Sequence, residues 1–424
     1  MISKEVVFRI FSESEERLKT PVVERYCTQK AAEYLGYKEI LAITGVRRCG
    51  KTYLMFFLMQ RLVAEGIPQK NIVYLNFEDE RLSFIEPKDL DLLYEYFLEY
   101  SETSGKLYFF LDEIQNVPLW EKWLSRMFEK VKFVISGSSS ALLSSEIATA
   151  ITGRSIELEL FPFSFKEYVL FKDKTLLEKK SHTAENKAKI LILFSDYLGR
   201  GSFPEVLLNN KPDLLQEYFR AIILRDIIKR YTIRHTDAIE KLSLFLLSNI
   251  GKPISLYGLE KEHPLGINTI KNYLSYMEKC YLIRFVKKYD YSLRKQNANP
   301  RKVYSIDTAL SEKVSFKFSE DKGRVIENLV LIEFLRRKKQ VYYHKKIREC
   351  DFVIQEGLKI KKAIQVCYEL NKDSREREIN GLLETLNVYE LREGLIISYE
   401  EESEHTIDNK KIMVLPIWKW LLSE

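Results

Sequence analysis

No stretch of the sequence approaches the ~20 consecutive apolar residues that a membrane-spanning helix requires, so no helical span is expected. Cysteine is scarce: Cys27, Cys49, Cys280, Cys350 and Cys367 are scattered, odd in number and form no Cys-x-x-Cys pair. That argues against a disulfide framework or a zinc site and fits a reducing, cytoplasmic setting. The amino-terminal MISKEVVFRIFSESEERLK carries acidic residues and no small-residue cleavage site, so no secretory leader is expected there. Internal repeats and low-complexity tracts are also missing. Neither sign of charge dominates. The formal net charge of +6 permits contact with nucleic acid without requiring it, and the distribution of charge matters more than its sum.

What remains is a soluble globular composition, 46% hydrophobic and 30% charged. At 424 residues the chain is too long for one ordinary core, and two to four domains are expected. Over the first 160 residues short apolar runs alternate with helical patterns, which predicts a parallel α/β sheet. The expected strands are residues 40–44, 72–77, 107–111, 131–136 and 156–160. A polar stretch, KDKTLLEKKSHTAENKAK, reads as an exposed excursion. Leu215, Tyr218, Phe219, Ile222, Ile223 and Ile227 then recur at three- and four-residue spacing, and residues 171–235 are expected to be mostly helical.

Residues 236–312 predict a small helical domain. Its stripe Ile270, Tyr273, Leu274, Met277 and Tyr281 is entered through Asn268 as a candidate cap, and YLIRFVKKYDYSL has hairpin character. Helices followed by a hairpin make a winged-helix pattern. After Gly323 a helix over 325–337 leads to strands near 341–344, 350–354 and 363–366, then a helix and a last strand at 394–398. This predicts a separate C-terminal α/β domain.

Gly45-Val46-Arg47-Arg48-Cys49-Gly50-Lys51-Thr52 matches G-x-x-x-x-G-K-[ST], follows the apolar run ILAIT and opens a helical pattern. Glycines let successive backbone N–H groups turn inward around phosphate oxygens. The lysine supplies a point charge at the β- and γ-phosphates, and the hydroxyl ligates Mg²⁺. The positive end of the helix faces the same anion.

LYFFLDEIQ places Asp112 and Glu113 at the carboxyl end of an apolar strand, where open α/β sheets bind ligands. Asp112 is the candidate magnesium carboxylate, with Thr52, and Glu113 the residue that polarises the attacking water. Ser136, and after it Ser138, are candidates to sense the γ-phosphate; a Ser-rich helix-capping turn is the alternative. Arg154 is a candidate arginine finger, from this subunit or a neighbour, against an ordinary surface arginine. Arg47 and Arg48 face either ligand or solvent.

GVRRCGKT, FFLDEIQ, ISGSSSALLS, GRSIELELFPFSFKEY, GSFPEVL and PRKVYSIDTAL, in that order, resemble the AAA-type ATPases of bacteria and archaea that carry a C-terminal domain of unknown function, DUF4143. The resemblance covers nearly the whole chain. It implies an α/β fold with a P-loop NTPase parallel-sheet core (20–170), a helical lid-like region (171–235), a winged-helix-like domain (236–312) and a restriction-endonuclease-like C-terminal α/β domain (320–424). It also implies ATP and Mg²⁺ as ligands, with Lys51, Thr52, Asp112 and Glu113 in the Walker roles. ATP rather than GTP rests on this resemblance and on the missing Asn-Lys-x-Asp string.

Endonuclease-like domains use a helix Glu, a strand Asp and a Glu-x-Lys on the next strand. Here Glu327 and Asp351 fit, but the third element reads Gln365-Val366-Cys367. Glutamine cannot replace a carboxylate, nor cysteine an ammonium, so a docking domain is favoured over a nuclease. Between Arg284 and Lys302 seven Lys/Arg stand against one acid, Asp290, with Tyr289 and Tyr291 interleaved. That suits a nucleic-acid backbone, or a solvated basic face. The expectation is an ATPase acting as a nucleotide-driven switch or motor on DNA or a protein partner, with oligomerisation left open. The alternatives are a nucleotide-gated binding module with negligible turnover and an ATP-regulated nuclease.

Overall fold

The computed structural model describes residues 2–101, 105–140, 151, 153–178, 183–315 and 321–423. The chain divides into two compact units, residues 1–162 and 163–424.

In the first unit the apolar runs become β1 (Ile40–Thr44), β2 (Ile72–Asn76), β3 (Tyr108–Asp112), β4 (Lys132–Gly137) and β5 (Ser155–Glu159). All pair in parallel in the order β2-β3-β4-β1-β5. β1 and β3 are buried along their whole length, which explains why their sequences are continuously apolar instead of alternating. Helices Lys51–Ala64, Asp89–Tyr100 and Trp120–Met127 connect the strands. Phe97, Phe109, Trp123 and Phe133 interlock in the core, with Phe97 and Phe109 at 4.7 Å and Phe109 stacked on Phe133 at 5.8 Å.

The helix Lys4–Arg17 belongs to this same core through Val7, Ile10 and Phe11. Core packing therefore begins before residue 20, where the sequence placed the start. Its apolar face is narrow and its second half acidic, so burial of three side chains is visible only once β2 lies beneath them. At the other end the unit stops at residue 162, and the helix Phe165–Lys172, closed by a Ser164/Glu167 capping box, is part of the second unit.

After Phe165–Lys172 the second unit continues with helices Ala184–Arg200, Pro204–Asn209 and Leu214–Ala221, the last continuing as a π-helix over Ile222–Lys229. The stripe Leu215, Tyr218, Phe219, Ile222, Ile223 and Ile227 is buried as expected. Part of the polar excursion, residues 179–182, lies outside the described residues, as do 141–150 and 152 of the serine-rich and ITGRS segments.

Helices Thr236–Ser248, Leu256–Glu262 and Ile267–Lys279 follow, with β6 (Pro253–Ile254), β7 (Ile283–Lys287) and β8 (Arg301–Ser305) in one antiparallel sheet of order β6-β8-β7. Asn268 does not cap: Gly266 is the N-cap residue, and the Ile267 N–H donates to Glu260 Oε1 at 3.2 Å. The helix begins one turn-position earlier than the asparagine, which places Asn268 inside it.

The last part is a mixed sheet of order β13-β14-β12-β11-β10-β9, formed by β9 (Gln340–Lys345), β10 (Glu349–Glu356), β11 (Lys359–Val366), β12 (Glu393–Ser398), β13 (Ser403–Ile407) and β14 (Lys410–Pro416). The sequence reading ended at residues 394–398 and missed the final hairpin. β13 is an edge strand with no buried residue, so it carries no apolar signal. The usable signal was Asp408-Asn409, both left-handed, as a two-residue type I′ turn requires.

Candidate functional site

β1 delivers Thr44 to the carboxyl edge of the sheet, and residues 45–50 loop back into the helix Lys51–Ala64. The loop needs its glycines. Gly45 has φ +148° and Gly50 φ +104°, and a Cβ on Gly45 would stand 2.2 Å from the Leu160 carbonyl oxygen. Gly45→Ala is expected to destabilise the first unit by about 2–3 kcal/mol. Gly66→Ala, also at positive φ but with open space around it, should cost about 1 kcal/mol. Shifts of the urea midpoint at constant slope measure both.

Lys51 is buried, and its ammonium donates to the Gly45 and Val46 carbonyls at 3.1 and 3.2 Å, with Glu113 Oε1 at 3.8 Å. Thr52, in the first turn of the helix, donates its hydroxyl proton to Asp112 Oδ2 at 2.6 Å across 60 residues of sequence. Because β4 lies between β1 and β3, Ser136 stands between the loop and the acidic pair. Its hydroxyl bonds Asp112 Oδ1 and accepts the Glu113 N–H at 3.2 Å. Glu113 adopts φ +52°, a left-handed conformation that costs about 1 kcal/mol or more for a residue with a side chain. Burial pushes its carboxyl up, and the Lys51 ammonium opposes that shift.

Lys51, Thr52, Asp112, Glu113 and Ser136 thus converge. Val46 and Cys49 are buried loop residues, and burial raises the Cys49 thiol, so this cysteine packs as an apolar side chain. Arg47 faces neither empty solvent nor the loop interior but forms a two-pronged pair with Glu78, at 2.7 and 3.3 Å. Arg48 is exposed and takes the left-handed φ of +70° that closes the loop. Ser138 is buried beyond the end of β4.

Arg154 is not brought to the loop. Its carbonyl accepts the Ile40 N–H, at the amino end of β1, while Gly45 follows the carboxyl end, a strand length of about 13 Å away. Its guanidinium donates to Ser125 and lies over the Phe128 ring. The parallel pairing of β5 with β1 fixes this, so a finger role from within the same chain is corrected.

Two contributors carried no sequence signal. The Tyr74 hydroxyl, from β2, donates to Asp112 Oδ2 at 2.8 Å. Arg25, in a segment without pattern, is buried and donates to the Cys49 carbonyl at 2.9 Å and the Phe161 carbonyl at 2.7 Å, tying the loop to the chain after β5.

In the second unit Glu327 and Asp351 do meet, but around an ammonium. Lys302 Nζ, from β8, lies 2.9 Å from Glu327 Oε1, 2.9 Å from Asp351 Oδ1 and 2.8 Å from Glu349 Oε1. Gln365 accepts the Asp351 N–H and bonds Glu378, and Cys367 is packed among apolar side chains. Burial and the neighbouring Asp351 push Glu327 up to about 7. Burial would depress Lys302, but Tyr304, Asp351, Glu327 and Glu349 reverse this and hold it well above its ordinary value. The arrangement is an internal ion cluster. Among the described residues no group of three or more His, Cys, Asp or Glu is arranged to hold a metal ion, nor is any helix long and apolar enough to cross a membrane.

Residues 37–169 match the family model described as an AAA domain. Residues 192–321 match DUF8612, a domain of unknown function different from the DUF4143 of the sequence resemblance. The uncharacterized protein MJ1544 of Methanocaldococcus jannaschii is 34% identical over 446 residues, covering 100% of this chain and 97% of that protein. An uncharacterized protein of Haemophilus influenzae is 30% identical over 395 residues, covering 90% and 94%. Among solved structures, a STAND signal-transduction ATPase with a tetratricopeptide-repeat sensor from Pyrococcus horikoshii is 18% identical, with coverage of 76% of this chain and 47% of that one. Its TM-score of 0.27 carries no argument. The chain belongs to the family of the two uncharacterized relatives, and its first unit contains an AAA-type P-loop ATPase domain.

Proposed function

We propose that the protein binds ATP with Mg²⁺ at residues 45–52 and hydrolyses it, using the nucleotide cycle as a switch on a partner. The observation that carries this is the Thr52–Asp112 hydrogen bond of 2.6 Å, which joins the first turn of the loop helix to the acidic tip of β3. A hydroxyl and a carboxylate at that spacing suit Mg²⁺, which keeps most of its waters and takes few protein ligands. Thr52 and Asp112 would hold the ion, whose charge would offset that of the phosphates.

The chain's own groups supply the rest. Lys51 already holds its ammonium on two loop carbonyls, and an arriving phosphate offers it stronger, charged acceptors. The N–H groups of the first helical turn face the same anion. Glu113, buried beside Lys51, takes a proton from water as a carboxylate, and Ser136 fixes its backbone turn.

Calorimetric titration of the full chain with Mg·ATP tests the reading. Lys51→Ala is expected to weaken uptake about 100-fold, in line with the loss of charge-assisted hydrogen bonds. A variant that takes up nucleotide as wild type does would overturn it.

A further inference from the structure

The second unit gathers one surface from two stretches far apart in sequence. The end of β7 turns alongside β9: Lys288 bridges in parallel to Tyr343, and the Tyr289 N–H donates to the Tyr343 carbonyl at 2.9 Å. Tyr291 follows this contact by two residues, and the β9–β10 turn, Lys346-Ile347-Arg348, follows Tyr343 by three. Tyr289 is buried at the centre, with the rings of Tyr291, Tyr342 and Tyr389 edge-on to it at 5.5, 5.4 and 5.5 Å. The Tyr389 hydroxyl is fixed in turn to His344 Nδ1 at 2.9 Å. On this rigid base Tyr291 is 82% exposed.

The charge around it is unbalanced. Burial lowers the His344 imidazole, Glu384 opposes the shift, and the charges of Lys346, after β9, and Lys288, after β7, add to it. Lys287 is held by Asn297 and Lys345 by Glu349. Among the described residues no carboxylate lies within ion-pair distance of Lys288, Arg294, Lys295, Lys346 or Arg348. The nearby acids are engaged: Asp290 accepts the Ser292 N–H, Glu349 holds Lys302 and Lys345, and Glu384 accepts the Arg348 N–H. Cations without a carboxylate partner, on two stretches that meet beneath one exposed aromatic, match a polyanion that carries flat rings.

We propose that this face docks a single-stranded nucleic-acid segment, with Lys288, Lys346 and their basic neighbours on phosphates and Tyr291 stacked on a base. A duplex offers phosphates but no free ring face, so the aromatic selects the single strand. The proposal involves the second unit alone and stands or falls independently of nucleotide binding at the loop.

Fluorescence anisotropy of the full chain with labelled oligothymidylate of about 20 nucleotides, and with a duplex of equal length, tests it. Replacing Lys288 and Lys346 together by alanine is expected to weaken single-strand binding about tenfold at low salt. The slope of log affinity against log salt should fall by about 1.4, since each phosphate contact on a single strand contributes about 0.7. Tyr291→Ala should weaken single-strand binding about tenfold and leave the salt slope unchanged. An unaltered unfolding midpoint shows that the variants remain folded. Four results overturn the proposal: no binding of oligothymidylate by wild type at low salt, indifference to the paired lysine change, equal binding of the duplex with no effect of Tyr291→Ala, or equal displacement by polyglutamate.

Discussion

Glu113→Gln is expected to lower ATP turnover by about 100-fold or more while leaving Mg·ATP affinity within about threefold of wild type. The amide keeps the size of the side chain but cannot accept a proton from water. In the proposed reading ground-state binding rests on Lys51, Thr52 and the loop; the substitution removes the Glu113 charge 3.8 Å from Lys51 but leaves that ammonium its Gly45 and Val46 carbonyls. The pH profile is a second readout. Burial raises the Glu113 carboxyl and the Lys51 ammonium opposes it, so the net direction is upward. In the proposed mechanism turnover requires the carboxylate, and kcat should therefore rise as pH rises through that elevated value. Stability runs the other way: a folded-state pKa above the unfolded one contributes stability that is present at low pH and lost on deprotonation. In Glu113→Gln the residual rate should lose the limb. A wild-type enzyme as inert as the variant would instead favour a nucleotide-gated binding module with negligible turnover.

Lys302→Met should destabilise the second unit by about 3–5 kcal/mol, the cost of leaving buried carboxylates without their cation. Lys302 is 1% exposed, and Glu327, to which Tyr304 also donates at 2.6 Å, and Asp351 are buried with it. The strands and helix that supply these residues (β8, β10 and Lys322–Arg336) are held together at this point. Lys302 is the cation that opposes the upward shift of Glu327, so its loss lifts that carboxyl above the wild-type value of about 7, and the deficit should shrink as pH falls toward about 7 and the unpaired carboxylate takes a proton. Adding Glu327→Gln should recover part of the loss, making the double variant less unstable than the sum of the single ones. Urea unfolding followed at two pH values measures all three. A loss under about 1 kcal/mol in Lys302→Met would mean that the ammonium is not the cluster's counter-charge.

Sequence legibility followed the range of the interactions. The five parallel strands, the stripe from Leu215 to Ile227 and the loop at residues 45–52 are written in adjacent or nearly adjacent residues, where burial on both faces, helical period and glycine dihedrals each leave a local mark. In the final hairpin β13 lacked that mark because an edge strand need not be apolar, whereas its partner β14, KKIMVLP, carried one that the sequence reading passed over. By sequence Arg154 is a candidate finger from this subunit or a neighbour, yet the parallel pairing of β5 places it beside the amino end of β1, away from the loop of its own chain.

The sequence alone therefore determined the phosphate-loop motif, the strand that ends in Asp112-Glu113 and the α/β class, because each depends on residue types at fixed short spacing. Only the tertiary structure decided that Ser136 stands between loop and acids, that Tyr74 and Arg25 brace them, and that Lys302 fills the space between Glu327 and Asp351. Those are pairings across strand order and between distant segments, and a one-dimensional pattern holds no information about which side chains a sheet brings face to face.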